Sequence, residues 1–312
     1  MKKTLGILLV LLLAVSFSVF AGGTKEGAKK IRIGATFHST YHEFFATMIA
    51  GMKDEAAKNN VELTISDENM DVGKQNATMD TFIEQKYDGI ILLAIDPEAL
   101  NAAAGDAMKA KIPVIVVDGN ISNEANYVTF IGSDSYAMGK MAGEAAKDYI
   151  TKKMGGKAIV AGIGWLSHPV SVLRVKGFKE IVTQLPGVDF RAMQEADSRD
   201  KALNVAENVM QANKDLNLFY GGNEGTVLGE LAAVESAGKT DQIKVCGIDI
   251  SKDVIRGIEE GKIPFVVTQQ PAEMGRESIR AVLRALKGET LPKRIPIAST
   301  IVTIDNVAQY KK

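Results

Sequence analysis

The sequence predicts an α/β fold of two lobes, each a doubly wound parallel sheet. Three observations carry this. Short apolar runs alternate with longer amphipathic stretches along the chain. Several runs are apolar at every position, as parallel strands covered on both faces require. After about residue 132 the alternation starts again, giving two series of similar length.

In chain order, residues 31–37 read as a strand. Residues 43–59 follow with Phe44, Phe45, Met48, Ile49, Met52 and Ala56 at helical spacing. Because Phe44 and Phe45 are adjacent, one is expected to pack and the other to stay free. Residues 61–66 form a second strand and 75–85 a second helix. The runs 89–95 and 113–117 are strands flanking a helix over 97–109, and 127–131 is a shorter strand. The second series opens with a helix over 135–152, whose small-residue face is Ala137, Gly139, Ala142, Gly143 and Ala146. Strands follow at 158–163, 190–194, 216–220, 244–248 and 265–268. Helices centre on 177–185, 202–212, 226–237, 252–260 and 272–287. The break at 131–135 is short and has no Pro/Gly/Ser-rich linker, which suggests a hinge packed between lobes more than a tether.

The N-terminus reads as a processing segment. Lys2 and Lys3 precede an apolar run from Leu5 to Phe20, and Val19-Phe20-Ala21 offers small residues for cleavage after Ala21. The run is shorter than the ~20 residues a spanning helix needs. Residues 1–21 are therefore expected to be a signal peptide, 22–30 a disordered leader, and the mature protein periplasmic. Without a cysteine at that junction, a lipid-modified start is not expected. The single cysteine, Cys246, lies in an apolar run and reads as a buried strand residue. The composition is 46% hydrophobic and 24% charged, ordinary for a globular protein, and the net charge is −1. Such a balance gives no basic field for nucleic acid.

In open parallel sheets, ligands bind beyond the carboxyl ends of strands. After the first strand come His38, Tyr41, His42, Phe44 and Phe45. Asp96 and Asp118 follow the runs ending at 95 and 117, and Trp165, His168 and Arg174 follow the run ending at 163. Asn223, Asp249 and Gln269 follow the runs ending at 220, 248 and 268. Carboxylates accept from hydroxyls, arginine donates in a planar fork, and amides do both, while aromatic rings cover C–H faces. This inventory suits a small polyhydroxylated molecule. Each residue also has a plainer use: Asp96 before Pro97 could cap a helix, Asp118-Gly119-Asn120 could be a turn, and Arg174 could pair with a neighbouring acid. Coincidence at so many strand ends favours a site. No nucleophile–base pair and no Gly-rich phosphate loop is present. A hydrolase would have to use two of Asp96, Asp118 and Asp249 as acid and base. No enzyme activity, cofactor or metal is expected.

In order along the chain stand His42-Glu43-Phe44-Phe45 before Gly51-Met52, Tyr87-Asp88-Gly89-Ile90-Ile91-Leu92 leading to Asp96-Pro97, and Ile112-Pro113-Val114 leading to Asp118. Ile131-Gly132-Ser133-Asp134, Arg174-Val175-Lys176-Gly177-Phe178, Asn223-Glu224, Gly247-Ile248-Asp249 and Gln269-Gln270-Pro271 follow. With these motifs the chain from Ile31 onward resembles the ribose-type periplasmic sugar-binding proteins, which share their fold with the ligand domain of lac-repressor-like regulators. The resemblance implies lobes of residues 31–132 plus 270–298 and 133–269 plus 299–312, joined by three crossovers of the periplasmic binding protein type I kind. It implies that Phe44 and Phe45 stack on the ligand ring. His42 and Asp96 match positions where ribose binders carry asparagine, and Asp118, Arg174, Asn223, Asp249 and Gln269 match hydroxyl-binding positions. Gly119 departs from the pattern, standing where ribose binders carry arginine, and Ser198 lies near where many relatives place an aromatic. Trp165, in a slightly longer loop, is expected to supply that stacking surface. The implied partners are a small sugar or polyol and the membrane subunits of an ABC importer, with a chemoreceptor as a further partner and a monomer as the working state. A receptor for a sugar-like signal in chemotaxis or quorum sensing is the alternative within the binding class. A regulator would need a helix-turn-helix in place of the signal peptide.

Overall fold

The computed structural model describes residues 30–40 and 43–311. The expected signal peptide, residues 22–29 of the expected leader, Tyr41 and His42 lie outside them. The first strands and helices are β1 (Ile31–Phe37), α1 (Glu43–Lys58), β2 (Val61–Asp67), α2 (Val72–Glu84), β3 (Gly89–Leu92), α3 (Asn101–Lys109), β4 (Val114–Val117) and β5 (Thr129–Gly132). Then come α4 (Ser135–Lys153), β6 (Ala158–Gly164), α5 (Pro169–Val182), β7 (Val188–Glu195), α6 (Arg199–Ala212), β8 (Leu218–Gly221), α7 (Glu224–Ser236), β9 (Lys244–Ile248), α8 (Lys252–Glu259), β10 (Val266–Thr268), α9 (Pro271–Leu286), β11 (Arg294–Pro296) and β12 (Thr300–Val302).

The strands form two six-stranded sheets, in the orders β11-β5-β4-β3-β1-β2 and β12-β10-β9-β8-β6-β7. Position for position the orders are the same, so the second half repeats the first. All pairings are parallel except β10 with β12. The expected α/β class with two doubly wound sheets is what the structure has. Its central strands β3, β4, β5 and β8 are buried at every position, the consequence of helices on both faces.

Each sheet separates two apolar cores. Met48 and Met52 of α1 meet Met274, Ile279 and Val282 of α9 on one face of the first sheet. Met79 and Phe82 of α2 with Ala103, Ala104 and Ala107 of α3 cover the other. In the second sheet α6, α7 and α8 cover one face and α4 with α5 the other. Cys246 is buried there, its Sγ 3.3 Å from the Phe219 carbonyl oxygen.

The chain passes between the sheets three times, from β5 to α4, from β10 to α9 and from β11 to β12. These passages are tied to one another. Ile297 N–H donates to the Gly132 carbonyl at 3.0 Å. Gln270 Nε2 donates to the Ala298 carbonyl at 3.0 Å and lies 3.3 Å from Thr300 Oγ1. Elements α3, α5, β11 and β12 differ most from the sequence expectation; α5 spans Pro169–Val182, ahead of the expected 177–185. Residues 97–100 are not helical, because α3 begins only at Asn101. The strands β11 and β12 were not anticipated; three residues are too few to show periodicity.

Candidate functional site

Asp118 follows β4 and Asp249 follows β9, the same place in each sheet. Both have left-handed backbones, with φ of 59° and 72°. Aspartate tolerates this region better than most residues, and the neighbouring strand holds each in it. Asp118 N–H donates to the Ile131 carbonyl at 3.0 Å, and Asp249 N–H to the Val267 carbonyl at 2.8 Å. The turn re-aims each carboxylate beyond the strand end.

Arg174 comes up from α5 and is 7% exposed. Its Nη1 is 3.2 Å from Asp249 Oδ2 and donates to the Gly222 carbonyl at 3.3 Å. Gln269 Nε2 donates to the other carboxylate oxygen, Asp249 Oδ1, at 3.0 Å. Asp249 is thereby clamped by side chains from α5 and the end of β10. The buried Arg174 Nε has no hydrogen-bond partner among the described residues. Asp118, from the other sheet, is within electrostatic reach of both Arg174 and Asp249. Burial pushes its carboxyl up to about 6, against the pull of Arg174 and with the push of Asp249. Its side chain makes no hydrogen bond or ion pair among the described residues.

Asp96 and Asn223 stand in equivalent places after β3 and β8. Asp96 Oδ1 accepts from the N–H groups of Glu98 and Ala99, both at 2.8 Å. It therefore closes a turn before α3 instead of capping the helix. Asn223 does cap α7, its Oδ1 accepting from Thr226 N–H at 3.0 Å while Thr226 Oγ1 accepts from Asn223 N–H. The local role and the binding role are compatible here, since Asp96 Oδ2 and the Asn223 amide nitrogen remain available.

Aromatic groups flank the cluster on the second-sheet side. Trp165 is 39% exposed and packs on His168, with ring centroids 4.6 Å apart. The Trp165 loop is pinned to the end of β7, where Leu166 N–H and Ser167 Oγ donate to Glu195. His168 precedes α5, and burial together with Arg174 lowers its pKa, favouring the neutral ring. On the first-sheet side, Phe44 and Phe45 meet edge to face at 5.2 Å, and Phe45 meets His38 at 4.4 Å. Both phenylalanines are half-buried against one core, so neither is the free ring that adjacency suggested. Ser198 sits at the N-cap of α6.

Arg174, Asp249 and Gln269 are thus in direct contact, Asn223 adjoins the Gly222 carbonyl, and Asp118 faces them from the opposite sheet. The glutamate that anchors the Trp165 loop, Glu195, had no signal in the sequence, and neither had the Gly222 carbonyl that orients Arg174.

Duplicated sheets that present polar groups to one another from their strand ends define a protein that holds a small solute between two lobes. Residues 33–290 match the family model described as periplasmic binding protein domain, and the chain belongs to that family. It is 29% identical over 303 residues to the ribose import binding protein RbsB of Bacillus subtilis, covering 95% of this chain and 97% of that one. Among solved structures it is similar to an ABC transporter solute binding protein from Bacillus halodurans with bound myo-inositol. The TM-score is 0.77 at 25% identity, covering 92% of this chain and 99% of that one. A solute binding protein from Agrobacterium vitis bound with alpha-D-tagatopyranose gives a TM-score of 0.75 at 26% identity, covering 89% of this chain and 96% of that one.

Proposed function

We propose that the chain is an exported, non-enzymatic receptor that captures a small sugar or polyol between two lobes and delivers it to an ABC importer. Residues 31–132 with 270–298 form one lobe and 133–269 with 299–312 the other. The observation that carries the reading is the clamp on Asp249 by Arg174 and Gln269, faced by Asp118 from the other sheet. Such a set offers donors and acceptors to vicinal hydroxyls and has no nucleophile placed beside a base. The relatives point the same way, since their names or bound molecules are ribose, an inositol and a ketohexose. Phe44, Phe45 and Trp165 supply ring-covering surface, and residues 1–21 serve as the export signal to the periplasm.

The test is a thermal-shift panel of pentoses, hexoses, cyclitols and their amino derivatives, with mass spectrometry of the solute that copurifies. At least one polyol should raise the melting temperature. Arg174→Ala should then weaken its binding by about 10–100-fold in calorimetry, the cost of losing a charge-assisted hydrogen bond. No shift with any member of the panel, or turnover of a bound sugar, would sink the reading.

A further inference from the structure

We propose that the solute carries a protonated amine as well as hydroxyls, with the ammonium seated on Asp118 between the lobes. The inference rests on the polyol-receptor reading and adds to it a charge that the cleft requires.

The groups around Asp118 are unequal in sign. Arg174 from α5 and Asp249 from the end of β9 act on its carboxyl, and His168 and Tyr220 act on Arg174 in turn. Arg174 is committed to Asp249, whose two carboxylate oxygens are taken by Arg174 and Gln269. His168 is biased to its neutral form by burial and by Arg174. Burial pushes the Tyr220 phenol up, so it also stays neutral. Arg174 is the one cation that acts on the Asp118 carboxyl among the described residues. Two carboxylates thus face one guanidinium, and Asp118 is the one left without a partner.

The backbone next to it closes position 119 to a cationic side chain. A Cβ at Gly119 would lie 2.8 Å from the Ala94 carbonyl oxygen and 3.3 Å from its nitrogen. No side chain can start there without moving the β3–α3 connection. Among the described residues no second cation reaches Asp118, and on this proposal one arrives with the solute.

Closing water out of this gap around a neutral polyol would leave a net negative charge enclosed, and an uncompensated buried charge is expensive. A carboxylate with no donors accepts well from an ammonium, which brings three N–H groups and the balancing charge. The Arg174 Nε and the Asn223 amide nitrogen are donors, and they fit hydroxyl oxygens elsewhere on the same solute. Acidic sugars and sugar phosphates are excluded by the same charge balance.

The experiment compares matched pairs by calorimetry at pH 7 on protein freed of copurified solute. The pairs are an amino-inositol against myo-inositol, and D-glucosamine against D-glucose. In at least one pair the amine should bind tenfold or more tightly. Asp118→Asn should weaken both members of that pair, the amine by the larger factor, so that the ratio falls close to one. A second measurement needs no variant: titration in two buffers of different ionisation enthalpy. The neutral member should take up a proton on binding and the amine should not. Equal or tighter binding of the neutral member, without proton uptake, overturns the amine while leaving the polyol receptor standing. Retention of the preference in Asp118→Asn also overturns it. A panel in which nothing binds overturns both.

Discussion

The raised carboxyl of Asp118 carries a cost in stability that the proposed binding role would explain. An acid whose pKa is raised on folding binds its proton more tightly in the native state than in the unfolded chain. Its contribution is neutral below pH 4, where both states are protonated, becomes destabilising from there up to about pH 6, and stays so above. Glu230, fully buried on α7 with its carboxyl pushed well up by burial, acts with the same sign. Asp118→Asn should therefore raise stability at pH 7–8 by ~1–3 kcal/mol and leave it unchanged near pH 3.5. Asparagine accepts the left-handed backbone, so the amide changes charge with little strain. Chemical denaturation at several pH values checks this, and the difference from the parent isolates Asp118 from Glu230. A variant less stable at pH 8 than its parent would contradict it. Coincidence at several strand ends made Asp118, Arg174 and Asp249 legible in the sequence, since each alone has a plainer use in a turn or an ion pair. The left-handed backbone at both aspartates was not legible, since it depends on hydrogen bonds to neighbouring strands far along the chain.

At the scale of elements, glycines set how closely the helices approach. A Cβ on Gly139 of α4 would collide with the carbonyl oxygen of Arg174 on α5, and one on Gly177 of α5 with that of Tyr136. In the first lobe, Gly51 of α1 and Gly275 of α9 meet the carbonyls of Ala272 and Met48 in the same manner. The two helix pairs are counterparts, and the α4–α5 contact lies directly behind the arginine of the site. Gly139→Ala should accordingly cost about 1–3 kcal/mol of stability through overpacking and also weaken solute binding, because it shifts the Arg174 backbone. Gly275→Ala should cost a similar amount with binding unchanged, and the pair of variants separates positioning from general destabilisation. Equal effects on binding would show that Gly139 has no special hold on Arg174. The small-residue face of α4 could be read from spacing alone. Which helix fills that face could not, because α4 and α5 are joined by β6 and the Trp165 loop. For the same reason β11 and β12 escaped notice: each owes its strand character to a partner, Phe130–Gly132 for one and Val266–Thr268 for the other.

At the scale of the molecule, repetition of one topology places Asp118 and Asp249 at matching strand ends, within electrostatic reach of each other. Their like charges disfavour close approach of the lobes when no solute is present, and Arg174 offsets only part of that repulsion. In the proposed receptor, a solute that donates to Asp118 and accepts from Arg174 makes its full set of contacts only when the lobes are together, so it shifts the population toward closure. The three passages between the sheets are where the motion has to occur, and Gln270 ties the second to the third through Ala298 and Thr300. Small-angle scattering should show a smaller radius of gyration at saturating solute than without it. Asp249→Ala should abolish that compaction by releasing both Arg174 and Gln269. Gln270→Ala touches none of the cleft side chains and should preserve compaction but alter its midpoint concentration, since loosening the hinge changes the free energy between open and closed forms. A radius that does not respond to a solute bound at saturation would mean the lobes are one rigid body, and binding would then have to be understood as filling a fixed pocket.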